Sequence, residues 1–401
     1  MWRGVASRRY RRFHPAFGTQ DPGLIFELPL SDAGSGAVLT TPTVAGGSPT
    51  PTFTRATVAW TKLSSGLWAS VASGTARYSY LGADTAVGAA GGYFAEGAGT
   101  QLVTPTASIR DMTNAAWTAG ATMTVALDGV GIDGAANSCS RLTGGAVSAT
   151  NTIFQTLVAA ASSRTYSVWL KRVTGTGVIN ITQDGGVGYT DVTSQINSST
   201  FTRVSLTASQ LNAAFGIQVV TSGDVILADF NQFEPGAFAT SPMAAAGVAR
   251  NADALSFPSA GNMVASGSPE TWYVEAQQSQ LIDSTSCALL DTDSNYRFLG
   301  VQVNAVPYGY HNAAATLIAA VDAMVAGVVS KIAARYDGSN FQLVSDGSAG
   351  SAQAMGAQAG AATSLYVGYL SGGTTQLFGT IRNLRIYSTA LTAAQLQAMT
   401  T

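Results

Sequence analysis

The stretch Phe378-Gly-Thr-Ile-Arg-Asn-Leu-Arg-Ile-Tyr387 lies near the end of the 401-residue chain and decides the fold of its C-terminal part. Four upstream segments share its strand-like character, at residues 272–276, 296–303, 330–336 and 340–345. The dipeptides Asp337-Gly338 and Asp346-Gly347 supply tight turns between them. Strands in series, without amphipathic helices between them, predict an antiparallel β-sandwich over residues 251–401.

The run that ends at Tyr387, followed by Ala390-Leu391-Thr392, resembles the last strand of the laminin-G/concanavalin A-like lectin family. The resemblance implies a concanavalin A-like sandwich that ends in a short helix at residues 391–399. Thr392 would be the N-cap of this helix. The resemblance implies a fold more than a function, because many such sandwiches bind no sugar.

A second group of strand-like segments lies upstream and predicts another sandwich over residues 53–245. Apolar and polar residues alternate at 165–172, 178–182 and 201–207, and two further segments follow at 216–220 and 225–230. The segment Tyr166-Ser-Val-Trp-Leu-Lys171 resembles a strand of carbohydrate-binding-module jelly rolls. We therefore predict an all-β chain with two tandem antiparallel sandwiches, first a jelly roll and then a concanavalin A-like domain. Each is expected to fold independently.

Three short motifs resemble a recurrent module of tailed-bacteriophage virion proteins. They are Phe53-Thr-Arg-Ala-Thr57, Tyr93-Phe-Ala-Glu-Gly-Ala-Gly-Thr-Gln-Leu102 and Phe233-Glu-Pro-Gly-Ala-Phe-Ala-Thr-Ser241. With the C-terminal run, the resemblance covers roughly residues 53–401. It implies a structural virion protein of the tail or decoration type. Gly99 stands where the family motif has Arg, so this chain departs from the motif at that position.

Composition fits a protein that works inside an assembly. Only 10% of the residues are charged, and 44 are glycine, whereas charge keeps free monomers in solution. We therefore expect a homo-oligomer in the virion. No apolar run is long enough to cross a bilayer, so no membrane insertion is expected. Cys139 and Cys287 lie in different predicted domains and are expected to be free thiols.

The first 23 residues predict an extended basic arm, followed by a strand and linker at residues 24–52. Five Arg precede the first acidic residue, Asp21; without them, 15 Lys and Arg face 22 Asp and Glu, a net charge of −7. The arm is expected to anchor the protein in an acidic groove of another virion protein, with binding to packaged DNA as the alternative. The predicted anchoring residues are Trp2, Arg3, Arg8, Arg9, Tyr10, Arg11, Arg12 and Phe13.

No catalytic apparatus is recognisable in the sequence. A catalytic triad needs a histidine, and the two candidates are His14 in the arm and His311 in a turn. Glycoside hydrolysis needs facing carboxylates, and no glutamate pair is recognisable by spacing. We therefore predict no catalytic residue and a non-enzymatic protein that attaches to host-surface glycan. A glycan-degrading depolymerase and a structural adaptor without a ligand are the alternatives.

Two candidate sites fall in the second sandwich. Tyr308, Tyr310 and His311 could bind a glycan, although a plain loop histidine is the simpler interpretation. Asp291, Asp293 and Asn295 alternate like the first ligands of a calcium loop, although a hairpin turn is favoured; no other cofactor is expected. Aromatic residues that could stack on sugars are Trp60, Trp68, Trp117 and Tyr189, whereas a strand residue such as Trp169 is more often core.

Overall fold

The computed structural model describes residues 23–28, 51–80, 91–104, 108–146, 148–243, 245–279, 286–293, 297–311, 318–320, 322–355, 361–373 and 375–401. These residues hold thirty strands and one α-helix, α1 (Ala393–Thr400). The predicted all-β fold class is therefore confirmed. None of the described helices is long and apolar enough to span a membrane.

The strands follow one another in chain order from residue 24 to residue 387. They are β1 (Leu24–Leu28), β2 (Thr52–Thr54), β3 (Ala59–Lys62), β4 (Trp68–Val71), β5 (Tyr78–Ser79), β6 (Gly92–Ala95), β7 (Gly99–Thr100), β8 (Thr118–Ala119), β9 (Thr124–Gly129), β10 (Cys139–Thr143), β11 (Thr152–Thr156), β12 (Ser162–Thr174), β13 (Ile179–Thr182), β14 (Thr190–Asp191), β15 (Thr202–Gln210), β16 (Ala214–Val219), β17 (Val225–Pro235), β18 (Ala249–Arg250), β19 (Ala254–Pro258), β20 (Glu270–Gln278), β21 (Cys287–Thr292), β22 (Phe298–Val301), β23 (Pro307–Tyr310), β24 (Ile318–Ala319), β25 (Ser330–Tyr336), β26 (Asn340–Ser345), β27 (Ser348–Ala349), β28 (Gln353–Ala354), β29 (Ser364–Val367) and β30 (Gly379–Tyr387).

The first sandwich packs two five-stranded sheets face to face. Their strand orders are β15-β12-β17-β10-β9 and β14-β13-β16-β11-β8. Alternation along β12 shows how the core forms, because Tyr166, Val168 and Leu170 are fully buried between the sheets. Since successive side chains point to opposite faces, Trp169 and Lys171 lie on the outer face. This outer face carries the groove described below.

The second sandwich pairs a nine-stranded sheet with a seven-stranded sheet. The first has the order β27-β26-β25-β20-β30-β6-β5, with β1 beside β30 and β28 beside β26; the second has the order β2-β19-β29-β21-β22-β23-β24. The predicted helix is confirmed as α1, which packs Leu396 and Met399 on Tyr273 and Ala333. Thr392 is its N-cap and forms a capping box with Gln395.

Strands from the first quarter of the chain complete the second sandwich. One edge of β30 pairs with both β1 and β6, and β2 pairs with β19. Phe26, Leu28 and Tyr93 are buried in the core of this domain. The predicted division assigned β2, β5 and β6 to the first sandwich and β1 to a separate strand-and-linker segment, so it differs from the observed pairing. Alternation identifies a strand, but it does not identify a partner 200 or more residues away.

A buried charge network joins the two sandwiches, and the three virion-type motifs supply several of its members. Arg55 contacts Asp253 at 2.7 Å, and Arg77 bridges Asp253 and Glu96. Glu96 also contacts Arg250 at 2.9 Å and accepts a hydrogen bond from the backbone N–H of Ser241 at 2.6 Å. Burial tends to raise the pKa of Glu96, but Arg250 and Arg77 outweigh it and hold the pKa below its ordinary value.

Both cysteines are buried free thiols, as predicted. Cys139 lies in β10 of the first sandwich, and Cys287 begins β21 of the second. Burial raises the pKa of each thiol to about 12. Neither side chain is therefore a ready nucleophile.

Candidate functional site

A groove of about 780 Å³ runs over the outer face of the sheet β15-β12-β17-β10-β9 in the first sandwich. This volume falls within the range typical of ligand sites, roughly 300–1,000 Å³. Its lining comes from the sheet, from the β3–β4 hairpin and from the segment at residues 198–201. By contrast, the cavity beside the predicted site in the second sandwich is only about 10 Å³.

The register between neighbouring strands brings together the side chains that form the floor of the groove. Lys171 on β12 is opposite Leu227 on β17, and Leu227 is in turn opposite Arg141 on β10. These three side chains therefore form one row across the sheet. Trp169 lies two residues before Lys171 on the same face, and its side chain is half-buried.

The β3–β4 hairpin forms one wall. Trp68 packs edge-on against Trp169, with ring centroids 5.5 Å apart. The backbone N–H of Trp68 donates to the carbonyl of Ile132 at 2.9 Å, which ties the hairpin to the loop after β9. Gly66 has φ +84°, a left-handed conformation that favours glycine in the turn of this hairpin. The wall is thus fixed by packing and by backbone hydrogen bonds.

The opposite rim is held by Asn197. Its side-chain oxygen accepts from the backbone N–H groups of Ser199 and Thr200 at 2.9 and 2.8 Å. Its carbonyl accepts from the N–H of Arg172 at 2.9 Å, which joins the rim to β12. Phe201 follows this rim and is half-buried. A ligand would therefore meet a preformed surface.

The groove offers both apolar and charged groups. Tyr80, Trp169 and Phe201 are half-buried, and Leu67 is 41% exposed. The charged lining consists of Lys62, Arg141, Lys171 and Arg172 with one acid, Asp128. Aromatic rings beside polar groups suit a ligand that has apolar faces and a polar rim.

The predicted glycan residues lie inside the second sandwich. Tyr308 and His311 are 8% and 2% exposed. His311 Nε2 lies 2.7 Å from Glu270 Oε1, and the His311 ring stacks on Tyr336 with centroids 3.8 Å apart. Tyr310 stacks on Phe298. The assignment stays a prediction; as placed, these side chains belong to the domain interior, and the adjoining cavity has room for about one water.

Glu270 is the centre of this interior cluster, and no sequence pattern predicts it. Arg297 contacts its carboxylate at 3.0 Å, and the Trp272 indole N–H donates to it at 3.0 Å. With His311, three side chains thus surround one buried carboxylate. These contacts supply the hydrogen bonds that a buried carboxylate needs.

The predicted calcium residues are partly outside the described chain. Asn295 lies outside the described residues. Asp291 is fully buried and accepts from the backbone N–H of Ser371 at 2.7 Å, while Asp293 accepts from the N–H groups of Thr363 and Ser364 at 2.6 and 3.0 Å. No group of three or more metal-binding side chains occurs within the described ranges. The calcium site stays a prediction.

Few of the aromatic residues that were predicted to stack on sugars are exposed. Trp68 and Trp117 are 6% and 5% exposed, and Tyr189 is 39% exposed but lies away from the groove lining. Trp169, expected to be core, instead faces the groove. Trp169 lies between Val168 and Leu170 along β12, and both of these side chains are buried. Alternation therefore predicts that the side chain of Trp169 points to the outer face. The eight predicted anchoring residues of the arm lie outside the described residues.

Comparison with known families identifies the C-terminal domain. Residues 251–397 match the model described as the concanavalin A-like lectin/glucanases superfamily. They make up most of a concanavalin A-like domain, which β1, β2, β5 and β6 complete. The match confirms the resemblance of the C-terminal run, and this lectin-type fold fits glycan binding. No curated protein matches the chain.

Solved structures share only weak likeness with the chain. Domain 4 of AbnA, a GH43 arabinanase from Geobacillus stearothermophilus, is 14% identical with a TM-score of 0.31, covering 37% of this chain and 73% of that one. A Trypanosoma rangeli sialidase is 14% identical with a TM-score of 0.30, covering 36% of this chain and 25% of that one. A pentraxin from Limulus polyphemus is 12% identical with a TM-score of 0.29, covering 35% and 74%. Likeness at this level says nothing about the activity of this chain.

Proposed function

We propose that the protein is a non-enzymatic structural protein of a tailed-bacteriophage virion that binds host-surface glycan through the groove of its first sandwich. The observation that carries the binding proposal is the groove itself, with about 780 Å³ of space and half-buried aromatic residues on its floor and rims. The concanavalin A-like domain supports the same class of ligand by its fold. Its own interior cluster at Glu270 is not needed for this role.

The groove fits a sugar chain by its chemistry. Sugar rings have apolar faces that pack on aromatic side chains, and their hydroxyl groups need polar partners. The aromatic surfaces are those of Trp169, Phe201 and Tyr80. The polar partners for hydroxyl groups are Lys171 and Arg141. Because the floor is a sheet and the walls are tied by hydrogen bonds, little ordering would oppose binding.

The virion role rests on the three motifs. Their charged residues, Arg55, Glu96 and Glu234, are all buried at the junction of the two sandwiches. Thr240 donates to Glu234 at 2.6 Å, and Ser241 donates to Glu96, so the third motif closes the junction. The motifs therefore serve to join domains. Their resemblance to tailed-phage modules supports a structural chain that displays two sandwiches on a particle.

The basic arm would anchor the chain to other virion proteins. Its five Arg and its aromatic residues suit an acidic groove with apolar pockets. Multiple copies on one particle would raise the effective strength of weak single-site binding. A homo-oligomer of the protein on the virion would serve the same end.

The groove favours binding over cleavage. Hydrolysis of a glycosidic bond needs two facing carboxyl groups, and Asp128 is the one acid among the described lining residues. Asp128 also pairs with Arg141 at 2.8 Å. A depolymerase would need a catalytic pair elsewhere, so release of reducing ends from host polysaccharide would contradict this part of the proposal.

Binding of purified host-surface polysaccharide tests the proposed function. Trp169→Ala and Phe201→Ala should each weaken binding about tenfold, corresponding to about 1.4 kcal/mol of lost aromatic contact. Tyr189→Ala is the matched control, because Tyr189 is a partly exposed aromatic residue of the same sandwich outside the groove lining, and it should bind as the wild type does. Equal binding by all four proteins would contradict the groove as the site. Circular dichroism melts check that each variant is folded.

A further inference from the structure

The charges in the groove are one-sided. Four of its lining side chains are basic and one is acidic, although the whole chain carries a net charge of −2. A concave surface lined by one sign of charge concentrates its field and selects ligands of the opposite sign. The local excess of positive charge is therefore a property of the site and does not follow from the composition.

The two arginines of the groove already have partners. Arg141 pairs with Asp128 at 2.8 Å. Arg172 pairs with Asp224 at 3.1 Å and donates to the carbonyl of Gly177 at 2.7 Å. Their guanidinium groups are thus used to hold strands and loops in place. They add less to the free charge of the groove than their number suggests.

The two lysines differ from the arginines. Within the described part of the chain, neither Lys62 nor Lys171 has an ion-pair partner. Both are only half-exposed, and burial lowers the pKa of Lys62 below its ordinary value. A partly buried ammonium without a counter-charge is costly, and a ligand anion would remove that cost. Lys62 ends β3 on the hairpin wall and Lys171 lies on the sheet floor, so the two charges come from different sides of the groove.

We propose that the groove selects a polysaccharide with an anionic group on its repeating unit, held by Lys62 and Lys171 beside the aromatic surface of Trp169 and Phe201. This inference rests on the proposed glycan-binding function and names its ligand class. Carboxylate and phosphate present the same charge to an ammonium group. Lysine, a compact point charge, does not require the planar geometry that arginine recognises.

The test compares charged polymers with neutral counterparts of the same backbone. Hyaluronate, alginate and polygalacturonate supply carboxylates, and their carboxyl-reduced forms are neutral; poly(glycerol phosphate) supplies phosphate. Calorimetry in 50 mM NaCl should show at least tenfold tighter binding for one anionic polymer than for its neutral counterpart. The preference should shrink in 500 mM NaCl, because salt screens partly exposed charges. The polymer that shows the preference identifies the anion.

Lysine variants locate the effect. The double variant Lys62→Gln/Lys171→Gln should lose the preference for the charged polymer, and its binding of the neutral polymer should weaken by a smaller factor, because only the hydrogen bonds of Lys171 to hydroxyl groups are lost there. Lys331→Gln removes one positive charge from the second sandwich and should keep the preference. Loss of preference in both variants would overturn the assignment to the groove.

The remaining outcomes separate this inference from the proposed function. Equal binding of charged and neutral polymers, still weakened by Trp169→Ala, would overturn the anionic selectivity and leave glycan binding intact. Binding of double-stranded DNA as strong as that of the polysaccharides, and unaffected by Trp169→Ala, would reveal general polyanion attraction and overturn the inference. Absence of binding to every polymer would overturn the anionic selectivity, and absence of binding to purified host-surface polysaccharide as well would overturn both proposals.

Discussion

At the scale of single residues, the chain uses buried charge in two different ways. Arg77 is fully buried between Asp253 and Glu96 and contacts both. Asp291 is also fully buried, and it accepts a hydrogen bond from the backbone N–H of Ser371 at 2.7 Å. The charges of Arg250 and Arg77 favour the ionised form of Glu96, whereas burial penalises the ionised form of Asp291.

Replacing Arg77 by Met should destabilise the protein by about 1.5–3 kcal/mol, because Asp253 and Glu96 would each lose a buried charged hydrogen-bond donor while keeping Arg55 and Arg250 as partners. Arg141→Met is the matched control, since its pair with Asp128 is partly exposed and should be worth at most about 1 kcal/mol. Urea denaturation measures both. Similar small losses in the two variants would show that the network at the junction contributes little.

Asp291 predicts a pH dependence of stability. Burial raises its pKa to about 6, above that of the unfolded chain, so the folded state binds its proton more tightly. Stability should therefore decrease as the pH rises through 6, and the contribution is fully present only below the unfolded pKa. Asp291→Asn should remove this part of the dependence, which melting temperatures at pH 5 and pH 7.5 would show. Asp128→Asn, at an exposed position, should leave the wild-type dependence unchanged.

At the scale of elements, local pattern predicted what the strands are but not which strands they join. β30 and α1 were predicted from the run at residues 378–387 and from Thr392, because capping and alternation are encoded within a few residues. The pairing of β1 with β30 depends on contacts such as Glu27 with Arg385, at 2.9 Å and 358 residues apart. Trp169 is an intermediate case. Alternation along β12 predicts that its side chain points away from the core, but it does not predict the groove on that face.

This pairing changes what a C-terminal fragment should do. Residues 252–401 alone lack β1, β2, β5 and β6, so β30 and β19 would each have an exposed edge and the core would lose Phe26 and Tyr93. Unpaired edges promote aggregation. We expect the fragment to be insoluble or to melt without cooperativity, while the full chain melts cooperatively. A soluble fragment with a sharp thermal transition would contradict this account and restore the predicted independence of the domains.

At the scale of the whole molecule, the three motifs and the groove belong to different tasks. The motifs meet at the junction of the sandwiches across separations such as the 145 residues from Glu96 to Ser241. Their order and spacing in the sequence indicate a resemblance to a family. Only the fold shows that their side chains belong to one network. The groove likewise gathers residues from 62 to 227, which no local pattern could assemble.

The anchoring arm is tested on particles. Removal of residues 1–20 should leave a folded protein, because the described strands begin at Leu24. We expect the shortened protein to be absent from purified particles, since it lacks all five arginines and the aromatic anchors of the arm. Incorporation at the normal copy number would contradict the anchoring role. Circular dichroism of the free protein confirms that the loss is not one of folding.

Hydrogen–deuterium exchange in the presence of host-surface polysaccharide reports both glycan binding and its location without any substitution. We expect slower exchange at residues 62–68, 169–173 and 198–201, which form the hairpin wall, the floor and the opposite rim of the groove. Exchange in the second sandwich, including residues 308–311, should not change. Protection confined to the second sandwich, or none in the groove at saturating polysaccharide, would contradict glycan binding in the groove.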